Sequence, residues 1–250
     1  MTDEIDVVKK PRRRGIYLLP NLFTTAALFS GFYAIVAAIH NRFEAAAVAI
    51  FIAMILDGLD GRVARLTNTQ SDFGTEYDSL SDVICFGLAP ALVMYEWSLS
   101  TLGKLGWLAA FIYTTATALR LARFNTQVGK IDKAYFQGLA SPAAAAVLAG
   151  FVWVGDDYQL SGMMVAPIGL VITLVAGALM VSNIRYRSFK DLNFKERVPF
   201  VSILSVVLIF ALISIDPPQV LFGVFSLYLI SGPTLTLIQL RQKRASRRGG

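Results

Sequence analysis

The sequence predicts an all-α integral membrane protein of about eight transmembrane helices, forming one membrane-embedded domain over residues 1–250. Three observations carry this expectation. Of the 250 residues, 55% are apolar and 16% charged, whereas an ordinary soluble domain has about 45–50% and about 25%. The apolar residues gather into eight runs, and a bilayer crossing needs about 20 such residues. The basic residues, finally, fall almost entirely at alternate ends of those runs. The single Cys85 and single His40 exclude an intramolecular disulfide, a Cys/His zinc site and a His-based triad within one chain. Any chemistry must use carboxylates, amines, guanidinium groups or hydroxyls.

The first run, 21–40, follows the basic stretch Lys9-Lys10-Pro11-Arg12-Arg13-Arg14 in a segment, 1–19, expected to face the cytoplasm. It lacks a small-residue cleavage site and is read as a retained span, not a signal peptide. His40-Asn41-Arg42 links it to the second run, 43–66, and a polar turn over 68–74 leads to the third, 76–95. The fourth, 104–124, follows the link Ser98 to Gly103. Longer polar links, 125–137 and 183–198, precede the runs 138–155 and 199–215, with 161–182 between them. The last run, 218–238, ends in the basic tail 239–250. An even number of spans leaves both termini on one side. That side collects 21 of the 23 Lys and Arg residues, with only Arg42 and Lys104 opposite. The positive-inside rule therefore places both termini in the cytoplasm, and the cell (inner) membrane is the expected location. A basic rim of this kind reflects topology and anionic headgroups, so nucleic acid is not expected as a partner. Tyr95, Trp97 and Tyr228 read as interfacial or packing aromatics, His40 as a solvated loop residue, and Cys85 as a small buried apolar side chain.

The second and third runs carry charge that hydrocarbon should not tolerate. They read Asp57-Gly58-Leu59-Asp60-Gly61-Arg62-Val63-Ala64-Arg65 and, after the turn, Gly74-Thr75-Glu76-Tyr77-Asp78-Ser79-Leu80-Ser81-Asp82. An ionised group at membrane depth costs several kcal/mol unless it meets a cavity, a partner or a metal. Asp57 and Asp60 are spaced i, i+3, and Asp78 and Asp82 i, i+4, so each pair shares a helix face. A short turn makes the helices antiparallel neighbours and brings the pairs together. Facing carboxylates repel unless cations neutralise them. All-oxygen ligation selects hard divalent ions such as Mg²⁺ or Mn²⁺, and two such ions stabilise attacking and leaving oxygens in phosphoryl chemistry. Gly61 exposes backbone where a ligand approaches closely. Gly74 serves the turn or the ligand, and Arg65 offers a fork to a phosphate. Asp72 is read as a helix N-cap.

Asp57-x2-Asp60-Gly61-x2-Ala64-Arg65-x8-Gly74-x3-Asp78-x3-Asp82 resembles the full motif of the CDP-alcohol phosphotransferase family, fixing eight residue types within 26 residues. Pro20-Asn21-Leu22-Phe23-Thr24 is similar to the family's nucleotide-contacting segment. The resemblance implies transfer of a phosphoalcohol from a CDP-alcohol to a second alcohol with release of CMP, a six-helix core and a homodimer. The eight runs would then be that core plus two C-terminal helices. Ala118 to Asn125, Phe136 to Pro142 (with Ala140 where relatives often have Pro) and Ser182 to Lys190 are similar to the serine-accepting subgroup, the phosphatidylserine synthases.

The resemblance implies a transfer from CDP-diacylglycerol to L-serine. Asp57, Asp60, Asp78 and Asp82 would hold two divalent ions, and Asp82 would also be the general base toward the serine hydroxyl. Asn21, Gly61, Arg65, Ser71 and Gly74 match positions around the cytidine and its phosphates. Arg120 and Arg123 would receive the acceptor's carboxylate or phosphate through a bidentate contact; the competing reading is snorkelling toward headgroups. Glycerol 3-phosphate or an inositol compound is the rival acceptor. A divalent-metal transporter is the rival of another class, but it has no need of Gly61, Ala64, Arg65 and Gly74 at these spacings.

Overall fold

A computed structural model describes residues 18–127, 135–187 and 200–246. The basic N-terminal stretch, Lys130, Lys133, residues 188–199 and the residues after Ser246 lie outside the described residues. Eight long helices are present there: α1 (Leu18–Ile39), α2 (Phe43–Thr67), α3 (Asp72–Trp97), α4 (Lys104–Gln127), α5 (Ser141–Asp157), α6 (Gly162–Val181), α7 (Phe200–Ile215) and α8 (Pro217–Ser246). Five of them, α1, α3, α4, α6 and α8, are long and apolar enough to cross a membrane. The other three depart from the sequence expectation for identifiable reasons. α2 has 25 residues but carries Glu44, Asp57, Asp60, Arg62 and Arg65. α5 has 17 residues, because the 138–155 run yields its first three residues to a turn, and α7 has 16 among the described residues. The protein is nonetheless a multi-pass, all-α membrane protein.

Small residues set the packing. Ala143 to Ala146, Ala149 and Gly150 of α5 are buried, and this helix lies against α2, α3, α6 and α8. Small side chains allow the close backbone approach that dispersion and hydrogen bonding require when lipid competes equally for apolar surface. α1 packs along α2 and also along α3. α7 packs against α8.

Two local features shape the region near the aspartates. α2 ends in a left-handed residue, Asn68 (φ 51°), whose N–H reaches back to the Ala64 and Arg65 carbonyls, while Thr69 N–H donates to Ala64 O at 3.0 Å. This pattern satisfies the terminal carbonyls and turns the chain sharply. α3 then starts at a Ser71 cap, whose Oγ accepts from Gly74 N–H at 3.0 Å. Ser71, not Asp72, is therefore the N-cap; Asp72 occupies the first helical position, where its charge suits the positive helix end.

Inside α3, residues Val83–Leu88 form a π-helical turn directly after Asp82. Pro90 supplies the reason: it has no N–H to donate to the Phe86 carbonyl, and its ring would crowd that oxygen in a regular helix. The freed Phe86 carbonyl accepts from the buried Tyr113 hydroxyl of α4 at 3.0 Å. Cys85 is buried in this turn and its thiol donates to Ala27 O of α1 at 3.2 Å.

The two longer links meet in an unforeseen antiparallel ribbon, β1 (Tyr135–Gln137) with β2 (Arg185–Arg187), in register Phe136↔Tyr186. Gly138 closes its end at φ 77°, where a Cβ would collide with the Met180 carbonyl. Burial pushes the Tyr186 phenol up to about 12, with Tyr228 adding to the effect, so its hydroxyl stays a donor.

Replacing Tyr113 with Phe removes the side-chain hydrogen bond to the Phe86 carbonyl. The expected cost is about 0.5–2 kcal/mol, read as a lower unfolding temperature in detergent, whereas an unchanged transition would remove Tyr113 from this role.

Candidate active site

α2 and α3 descend toward each other through the Asn68–Ser71 turn, yet the first part of α3 makes little backbone contact with α2, and α1 packs against both. The space between them is bridged by side chains. Carboxylate oxygens of Asp57, Asp60 and Asp78 lie within 4.8 Å of one another. Asp82, one turn further along α3, is within interaction range of Asp57 and Asp78. The i, i+3 and i, i+4 spacings thus bring all four expected carboxylates into one neighbourhood, with three of them close enough for a common ion.

The fit to a cation rests on the donor set and on a specific orphan. Asp78 Oδ1 is buried and has no hydrogen-bond partner, a costly state for a carboxylate unless a cation supplies the missing interaction. Asp60, only 5% exposed, is held by the Thr24 hydroxyl, which donates to Oδ2 at 2.7 Å. That oxygen keeps capacity for a metal, because a carboxylate has about four lone-pair sites. Thr24 was not singled out from the sequence. The available signal was its i, i+3 relation to Asn21, which puts both on one face of α1.

Asn21, Gly61, Arg65, Ser71 and Gly74 all line a single cavity of about 450 Å³, together with Asp60 and Asp78. These five residues come from three helices and one turn, so the expected nucleotide residues share a common space. A Cβ on Gly74 would sit 3.1 Å from Ser71 Oγ and 3.3 Å from Asn21 Oδ1, and the Ser71 side chain is already engaged as the α3 cap. Asp57 and Asp82 lie outside this cavity's lining, one turn further into the bundle.

The arginines divide. Arg120 points inward and is largely buried; its Nη1 donates to Ser141 Oγ at 3.0 Å, its Nε has no hydrogen-bond partner, and it lies within electrostatic range of Asp82. Snorkelling does not describe it. Arg123 instead staples the two links: Nη2 donates to Gln137 Oε1 at 2.7 Å and to Asn183 Oδ1 at 2.6 Å. Its guanidinium is committed to the ribbon. Trp97 is a packing residue, edge-on to Phe151 at 5.6 Å, and His40 is exposed as expected.

A bundle of apolar helices that gathers carboxylates, a polar cavity and a buried guanidinium at one end is a membrane-embedded enzyme acting on phosphorylated substrates. The chain belongs to the CDP-alcohol phosphatidyltransferase family, whose pattern matches residues 17–184, in agreement with the motif. It is 39% identical over 217 residues to a CDP-diacylglycerol–serine O-phosphatidyltransferase of Helicobacter pylori, covering 87% of this chain and 90% of that protein. Proteins of the same name from Bacillus subtilis (34% over 172 residues, 69% of this chain and 91% of that one) and Methanocaldococcus jannaschii (39% over 142 residues, 57% and 63%) are also similar.

Replacing Thr24 with Val removes the hydrogen bond from the Thr24 hydroxyl to Asp60. Mn²⁺ affinity, followed by the electron paramagnetic resonance of free Mn²⁺, should fall about 10-fold or more, as for other partners of metal ligands. Unaltered affinity would mean that Thr24 does not orient the ligand.

Proposed function

We propose that the protein transfers the phosphatidyl group of CDP-diacylglycerol to L-serine, giving phosphatidylserine and CMP. The observation that carries this reading is the arrangement around the carboxylates. A polar cavity sized for a nucleotide opens on the Asp60 and Asp78 side, and the Arg120 guanidinium, with a buried Nε that has no hydrogen-bond partner, lies within electrostatic range of Asp82. The donor and the acceptor therefore approach the same cluster from different directions. The relatives' names supply serine as the acceptor, and Arg120 supplies a physical reason for a carboxylate-bearing one.

In this reading Asn21, Gly61, Arg65, Ser71 and Gly74 bind the cytidine and its phosphates. Asp57, Asp60, Asp78 and Asp82 hold two divalent ions, Mg²⁺ or Mn²⁺, which when bound offset charge on the diphosphate and on the departing CMP. Asp82 accepts the proton of the serine hydroxyl as its oxygen bonds to the phosphatidyl phosphorus. The bond from that phosphorus to the CMP oxygen breaks, and CMP leaves through the cavity. Arg120 binds the serine carboxylate, and Arg123 shapes the acceptor side by holding the ribbon. An apolar groove of about 780 Å³ between α1 and α2 includes Leu22 and Thr25, next to the cavity residues Asn21 and Thr24. It suits an acyl chain that enters from the bilayer.

The same reading places the chain in the inner membrane with both termini cytoplasmic, as one domain of six core helices plus α7 and α8, assembled as a homodimer. The family pattern ending at residue 184, before α7 begins, supports the six-plus-two division.

With CDP-diacylglycerol and Mn²⁺, purified protein should release CMP with serine at least about 10-fold faster than with glycerol 3-phosphate or inositol. Excess EDTA should stop the release, and added Mn²⁺ should restore it. A preference for either other alcohol would overturn the acceptor assignment. Replacing Asp82 with Asn should lower kcat by about 100-fold or more while CDP-diacylglycerol still binds; near-normal turnover would remove Asp82 from the base role.

A further inference from the structure

The last two helices fall outside the family match, and the sequence assigns them no chemistry. The structure nevertheless ties α8 to the acceptor side of the site. Tyr186 of β2 is buried and donates its hydroxyl to the Leu229 carbonyl of α8 at 2.9 Å. Its ring packs on Tyr228 with centroids 5.4 Å apart. Gly232, one turn beyond Tyr228, forms the notch that admits this ring: a Cβ there would overlap the Tyr186 ring atoms. Gly150 of the central helix α5 meets Phe222 of α8 in a second close approach, where a Cβ would lie 3.1 Å from the Phe222 backbone. The helix is thus seated at two levels against fixed elements.

Tyr228 in turn lies within electrostatic range of the Arg120 guanidinium, which faces Asp82. Arg120 has one side-chain anchor, the Ser141 hydroxyl, and a buried Nε with no hydrogen-bond partner. A guanidinium carries five N–H donors in a planar fork, and one anchor through Nη1 does not fix the plane of that fork. The phenol of Tyr228, whose ring packs on Tyr186, is close enough to act electrostatically on that fork. A residue that only filled space would not need its partner ring locked into a glycine notch near the inward-facing Arg120.

We propose that Tyr228 is a positioning residue for the acceptor: seated on Tyr186 above the Gly232 notch, it holds Arg120 toward Asp82, so that α8 forms a wall of the acceptor site. The inference rests on the reading that Arg120 receives the acceptor's carboxylate. It also gives the ribbon a purpose, since β2 carries Tyr186 and Arg123 holds the link that precedes β2.

The test is steady-state kinetics on the full-length enzyme in mixed micelles, with serine and CDP-diacylglycerol varied separately. Tyr228→Phe keeps the ring and loses the hydroxyl, so the fold is retained. The serine KM should rise about 5- to 10-fold, and the CDP-diacylglycerol KM should stay within about twofold of the parent enzyme. In an Arg120→Lys background, which removes the fork, the same change should add little, the non-additivity expected of residues acting on one another. A serine KM that stays within about twofold, an equal rise in both KM values, or fully additive effects would each overturn the proposal. If the parent enzyme prefers another alcohol, the acceptor assignment fails on its own, and the same KM comparison run with that alcohol decides the role of Tyr228.

Discussion

Mutual repulsion among four carboxylates is the constraint around which this molecule is organised. Asp57, Asp60, Asp78 and Asp82 converge at the end of an apolar bundle, where water is scarce and an uncompensated charge is costly. A cation held between the side chains would relieve that repulsion, and the backbone around the cluster holds it open. The left-handed Asn68 ends α2 cleanly, Ser71 starts α3 four residues after Thr67, and α1 packs against both helices. The resulting gap is a cavity, not a packed seam.

The two sides of the cluster are constructed differently. On the side proposed for the nucleotide, polar groups come from a helix start, a helix end and a turn, where small residues would let a phosphate approach the backbone. On the side proposed for the acceptor, groups come from α4 and the ribbon and are held by their neighbours: Arg120 by Ser141, Tyr186 in the Gly232 notch, and Asn125 by Ser79, whose Oγ accepts from Asn125 Nδ2 at 3.0 Å. The π turn after Asp82 separates these regimes. It shifts the helical phase of α3 just beyond the last aspartate, and Tyr113 satisfies the carbonyl that Pro90 leaves free.

The aspartate cluster and the nucleotide cavity were legible in the sequence because they depend on spacing within helices and across one short turn. Helical periodicity fixes which residues share a face, and a turn of a few residues fixes which faces meet. The ribbon, the Tyr186 notch and the tie between α8 and Arg120 were not legible. They join residues separated by about 40 or more positions through links whose polar composition carries no period. The helix ends near Gly138 and Asp72 were misplaced for a related reason. An apolar run does not reveal that Gly138 adopts a positive φ, or that a serine hydroxyl caps the helix in preference to the adjacent aspartate. The apolar run misled at the start of α5, where Gly138 to Ala140 precede the hydrogen-bonded helix.

Anomalous scattering from crystals grown with Mn²⁺ addresses the central electrostatic claim most directly. The expected result is manganese density among the Asp57, Asp60 and Asp78 carboxylates, in contact with Asp78 Oδ1. Density elsewhere, or an ordered cluster that stays free of manganese at saturating concentration, would contradict the claim that dications are what allow these charges to meet.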